Sequence, residues 1–175
     1  MTHDIRQLHP ADLAIHLDAL TDILLACVAD GASVSFVLPF SQAEATTFWL
    51  QKVFPAVQNG ETVLLGSFLN GELVGTVQLC LGLPANQQHR GDVSKLLVHP
   101  KARRAGLARA LMQALEEETR KRGKVLLVLD TRSGDPSQRL YESLGYQVAG
   151  SIPGFCKHPT EEHFEATTYL YKALD

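Results

Sequence analysis

Leu13, Leu17, Leu20, Ile23/Leu24 and Cys27/Val28 recur at helical spacing, which predicts an amphipathic helix opened by His9-Pro10 and running to about Ala29. Asp4–Leu8, ahead of it, reads as a strand. Residues 31–40 show no period and predict a loop, or a loop with a short extended piece. Ser41-Gln42-Ala43-Glu44 is a capping box, and its helix carries Phe48, Trp49 and Val53 before Pro55 stops it. Thr62–Leu69 and Glu72–Leu81 read as strands joined by Asn70-Gly71, a strong hairpin signal. After a polar stretch, Asp92–Val98 predicts another strand, and Leu107, Leu111, Ala114 and Leu115 give the next helix one apolar stripe. Val125–Leu129 is an unbroken apolar run, the pattern of a strand buried on both faces. Asp135-Pro136 starts a short helix over Ser137–Leu144, which Gly145 ends as a left-handed cap. The stretch around Pro153–His158 reads as a loop, and Phe164–Lys172 alternates as a final strand. The order is β-α-α-β-β-β-α-β-α-β, an α/β chain of one domain over residues 1–175.

Composition narrows the function. A net charge of −3 disfavours a nucleic-acid partner, and the basic residues from Arg103 to Lys124 are interleaved with Glu116, Glu117 and Glu118. Cys27, Cys80 and Cys156 are far apart, without metal-ligand spacing, and read as reduced thiols; no metal is expected. The first two sit in apolar runs and read as core. No leader or membrane-spanning apolar stretch is seen, so the expectation is a cytoplasmic protein without a membrane partner.

The candidate chemistry lies at Val98–Ala108. An apolar run stops at His99-Pro100, a basic turn follows, and Gly106 opens a helix. Unpaired amides and a positive dipole at a helix start attract anions. Arg103 and Arg104 add charge, and Gly106 allows close backbone approach, so the turn suits a phosphate or pyrophosphate. There is no Gly-Lys-Ser/Thr ending and no run of three spaced glycines, which excludes the two commonest nucleotide loops.

Arg103-x-x-Gly106-x-Ala108, followed by Leu140-Tyr141-Glu142-Ser143-Leu144-Gly145-Tyr146, resembles two elements of the GNAT superfamily of acyl-CoA-dependent N-acetyltransferases, in the right order and spacing. Gly31–Phe36, Lys95–Val98, Leu129–Thr131, Pro153–Cys156 and Pro159 are similar to segments of its tabtoxin-resistance branch. The resemblance implies a mixed central sheet of six to seven strands flanked by helices, with acetyl-CoA held where two central strands splay. It implies cofactor contacts at Leu97, Val98, Arg103, Arg104, Ala105, Gly106, Leu107, Ala108, Arg109 and Tyr141. Tyr141 would protonate the departing thiolate, and Asp92 and Asp130 would take the acceptor's proton, bind its ammonium group, or merely cap turns. A bulged strand at Leu97–Val98 would supply an oxyanion donor, while His99 would be structural. Ser33, Ser35 and Phe36 would contact the acceptor, a small primary amine of the antibiotic, toxin or amino-acid-like kind. The alternatives are a protein N-terminus or lysine as acceptor, or a non-catalytic acyl-CoA-binding module. A homodimer is also implied. One departure is Gly134, where many members carry an asparagine that contacts the pantetheine arm.

Overall fold

A computed structural model describes residues 3–174; Met1, Thr2 and Asp175, the ends of the expected domain, lie outside the described residues. The strands are β1 (His3–Gln7), β2 (Thr62–Leu69), β3 (Glu72–Cys80), β4 (Arg90–Val98), β5 (Leu126–Arg132), β6 (Gln147–Lys157) and β7 (Phe164–Ala173). They form one seven-stranded sheet in the order β1-β2-β3-β4-β5-β7-β6, antiparallel except for the parallel pair β4 and β5. The helices are α1 (Leu13–Ala29), α2 (Gln42–Phe48), α3 (Phe54–Gln58), α4 (Leu107–Lys121) and α5 (Pro136–Ser143).

The apolar runs of β2 and β3 are continuous because both faces of the sheet are covered. Leu64 and Phe68 turn toward a core with α1 and Trp49, whereas Val63, Leu65, Val77 and Leu79 turn toward a core with Leu111 and Leu115 of α4. Leu127 and Leu129 of β5 join the α4 side, with Tyr141 of α5.

Two expectations change. The helix begun by the Ser41–Glu44 capping box does not stop at Pro55: a π-helical turn, Trp49–Val53, carries it into α3. Proline lacks an N–H and crowds the carbonyl of the preceding turn; widening that turn relieves the crowding, and Phe54 N–H donates to the Trp49 carbonyl. The stretch at Pro153–His158 is also not simply a loop, since most of it, with Cys156, belongs to β6. β6 is an edge strand exposed along nearly its whole length and bulged between Ile152 and Cys156, so it carries no apolar alternation to reveal it.

The sheet opens at its centre. β4 pairs with β5 only at Arg90–Asp92, opposite Leu126–Val128, and then leaves it. On its other edge, the β3 register passes from Thr76↔Leu97 to Gln78↔Ser94, so Lys95 and Leu96 together face Val77. This is a β-bulge, with Lys95 at φ 51°. A bulge bends and twists its strand. The C-terminal half of β4 accordingly swings away from β5, and the gap becomes the site.

Candidate active site

The gap is a cleft of about 910 Å³. One wall is β4 from Val93 to Val98, the other is β5 at Asp130–Arg132 with Tyr141 of α5, and the loop Gly31–Ser35 closes one end. His99 N–H donates to the Val74 carbonyl of β3 (2.8 Å), and strand alternation points Leu97 to β3 as well. The backbone of Val98 therefore faces the splay.

The basic turn sits at the other end. Gly106 (φ 77°) is the N-cap of α4 and has no side-chain cap, so the first amides of the helix have no side-chain partner there. Arg104 (φ 63°) turns the chain beside it. His99 builds the turn: its Nδ1 accepts from the Lys101 N–H (3.1 Å), and its Nε2 lies 3.3 Å from an Asp22 carboxylate oxygen of α1.

A model of the Acetyltransferase (GNAT) family matches residues 25–146, well over half the chain. The chain belongs to the GNAT family. It is an acyltransferase by that membership. Its fold is shared with an N-acetyltransferase from Staphylococcus aureus Mu50 (TM-score 0.81, 19% identity, all of both chains covered). It is also shared with a Salmonella typhimurium protein assigned as an acetyltransferase and solved with its cofactor acetyl-CoA (TM-score 0.79, 24% identity, covering 100% of this chain and 95% of that one). The ribosomal-protein-S18-alanine N-acetyltransferase of Escherichia coli is similar too (TM-score 0.70, 22% identity, covering 99% and 95%).

Within this GNAT cleft the structure brings together Ser33, Ser35, Leu97, Val98, Arg103, Arg104, Gly106, Leu107, Ala108, Arg109, Asp130 and Tyr141. Three other expected residues stand elsewhere. Asp92 lies where β4 and β5 are still paired, its carboxylate ion-paired to Arg90, and it does not line the cleft. Phe36 lines an adjoining hollow with Phe40 and Phe48. Ala105 is exposed within the turn and does not line the cleft. Arg103 is in the cleft but engaged: its guanidinium pairs with Asp30 and donates from Nε to the Val98 carbonyl (3.3 Å). It ties the end of α1 to the turn.

Tyr141 is 6% exposed, and burial pushes its phenol well above the usual range, with Asp135 and Asp130 adding to the effect. A phenol held this way keeps its proton. Asp130 is fixed by Thr167, whose hydroxyl donates to its Oδ2 (2.8 Å). The loop Ser133–Ser137 is held internally: Gly134 N–H donates to Gln138 Oε1 (2.8 Å). Arg132 also lines the cleft, its guanidinium held by Glu165 (2.8 Å) and donating to the Gly31 carbonyl.

The sequence reading missed Lys95 as a site residue. Its signal was a lysine placed just before the apolar run Leu96-Leu97-Val98. Away from the cleft, ligand atoms of His158, His163 and Glu165 lie within 4.8 Å of one another. His158 Nδ1 already accepts the Thr160 and Glu161 N–H groups (3.2 and 3.1 Å), which puts the proton of the neutral ring on Nε2. With Glu165 held by Arg132, this cluster braces the β6–β7 turn. Among the described residues, no helix is long and apolar enough to cross a membrane.

Proposed function

We propose that the chain, as one domain over residues 1–175, transfers an acetyl group from acetyl-CoA to the primary amine of a small molecule by direct attack in a ternary complex. Acetyl-CoA fits the residues present: uncapped α4 amides and Arg104 suit its pyrophosphate, and the unpaired edge of β4 suits an extended pantetheine arm. Bound there, it supplies an activated thioester. The Val98 backbone at the splay is suited to steady charge on the thioester oxygen. Asp130 takes the proton from the acceptor's ammonium group, which at neutral pH is otherwise almost fully charged. Tyr141, protonated and shielded from water, gives its proton to the leaving thiolate.

The observation that carries the small-acceptor reading is the closure of the acceptor end. Ser33 Oγ lies 3.5 Å from Cys156 Sγ of β6, and Leu38 N–H donates to the Pro159 carbonyl (2.8 Å). The loop after α1 thus crosses to β6 and makes a pocket where a protein acceptor would need an open groove. Calorimetric titration with acetyl-CoA, then free-thiol release over a panel of amines, tests this. Binding with release on small amines supports it; binding with release only on peptides overturns it.

A further inference from the structure

Resting on the small-amine reading, we propose that Lys95 determines acceptor specificity by pairing with an anionic group on the acceptor. The acceptor is then an amine that also carries a carboxylate or an equivalent anion, its amine toward Asp130 and its anion toward Lys95.

Lys95 is the bulge residue of β4, half-buried in the cleft wall. Its Nζ contacts Ser35 Oγ at 3.3 Å across the cleft and lies 6.0 Å from the Phe36 ring centre and 5.7 Å from that of Phe48. Ser35 (φ 80°) and Lys95 (φ 51°) are both non-glycine residues in the left-handed region. Such conformations cost energy and gather at ligand-binding positions, and here two of them meet in one cleft.

The charges around Nζ leave it uncompensated. Among the described residues, no Asp or Glu forms an ion pair with it. Asp92, nearby on the same strand, is already neutralised by Arg90. Asp130 is felt at longer range, but its Oδ2 is turned to Thr167. The Cys80 thiol is kept neutral by burial. Burial of the ammonium group itself lowers the Lys95 pKa, as expected for a cation lacking a counter-charge. A half-buried cation without a partner is costly, and an arriving carboxylate removes that cost. The Phe36 and Phe48 rings beside it contribute a weak cation–π attraction and no counter-charge. The cleft thus presents a positive end at Lys95 and a negative end at Asp130, which matches a zwitterion.

The test uses the whole protein with acetyl-CoA and a panel of α-amino acids, each beside its methyl ester. The readout is the ratio of kcat/KM for acid over ester by thiol release, with acetyl-CoA binding as the check on folding. Wild type is expected to prefer the acids, Lys95→Met to lower the ratio by about 10-fold or more, and Lys95→Arg to restore most of it. Esters used as well as acids by wild type, or an unchanged ratio in Lys95→Met, overturns the role of Lys95 while leaving the small-amine reading standing. No release from acids, esters or other small amines, with acetyl-CoA still bound, overturns that reading and this one together.

Discussion

Lys172 Nζ lies 2.7 Å from Glu116 Oε2 and also donates to the Leu144 carbonyl at 2.7 Å, so one ammonium group joins β7, α4 and the end of α5. The Glu116 side chain is 8% exposed, and its other oxygen has no partner among the described residues. Removing the cation leaves a buried carboxylate with only the long 3.9 Å pairing to Arg120, which costs more than the pair contributes. Lys172→Met should therefore destabilise the fold by about 3 kcal/mol, and Glu116→Leu combined with it should recover most of that loss. Urea denaturation of both variants checks this; equal losses in the single and double variants would refute it.

Tyr141→Phe keeps the ring in its core and removes only the proton donor. Turnover should fall about 100-fold or more while acetyl-CoA affinity stays within about two-fold, since general-acid help acts on the transition state. Single-turnover kinetics and calorimetry separate the two. Full activity in the variant would remove Tyr141 from the mechanism.

Gly106→Glu tests the anion site. A Cβ at Gly106 meets no atom within 4 Å, so there is space, but φ 77° is strained for any side chain and a carboxylate there repels pyrophosphate. Acetyl-CoA binding should be lost. Gly106→Ala, which brings strain of about 1 kcal/mol and no charge, should retain weakened binding. Calorimetry decides, and unchanged affinity in Gly106→Glu would move the pyrophosphate elsewhere.

Tyr146 is 4% exposed and its hydroxyl has no partner among the described residues. Burial, with Glu116 beside it, pushes this phenol far above the ordinary value of 10.0, and Tyr141 is raised in the same direction. The folded chain thus holds both protons where the unfolded chain, titrating near 10, releases them. This contribution to stability is full below about pH 10 and is lost as pH rises above it. Tyr146→Phe should make that alkaline decline shallower and raise stability at neutral pH by about 1 kcal/mol, because it removes a buried unpaired hydroxyl. Denaturation curves at neutral and alkaline pH measure both; an unchanged alkaline slope would show that Tyr146 titrates normally.

Asp130→Asn should flatten the acid limb of the rate profile, as expected when a general base is removed. A profile of unchanged shape with a higher KM would leave Asp130 only an ammonium-binding role.

Much of this was written locally. The anion-binding turn needs only a strand end, two arginines and a glycine at a helix start, all within Val98–Ala108, and the Leu140–Tyr146 element is equally short-range. Helix periods, capping residues and the Asn70-Gly71 turn act over a few residues, so they can be read along the chain. β6 could not be read that way: an exposed edge strand buries no face, and its pairing with β7 supplies the order its side chains do not announce. The place of Asp92 also depended on where β4 parts from β5, a property of register between strands distant in sequence. The same holds for Lys95. Its position beside an apolar run is visible in sequence, but its lack of an ion-pair partner among the described residues, its contact with Ser35 and its place opposite Asp130 arise only when three separate segments pack around one bulge. Charge compensation and pocket closure are sums over neighbours from the whole chain, and only the tertiary structure performs them.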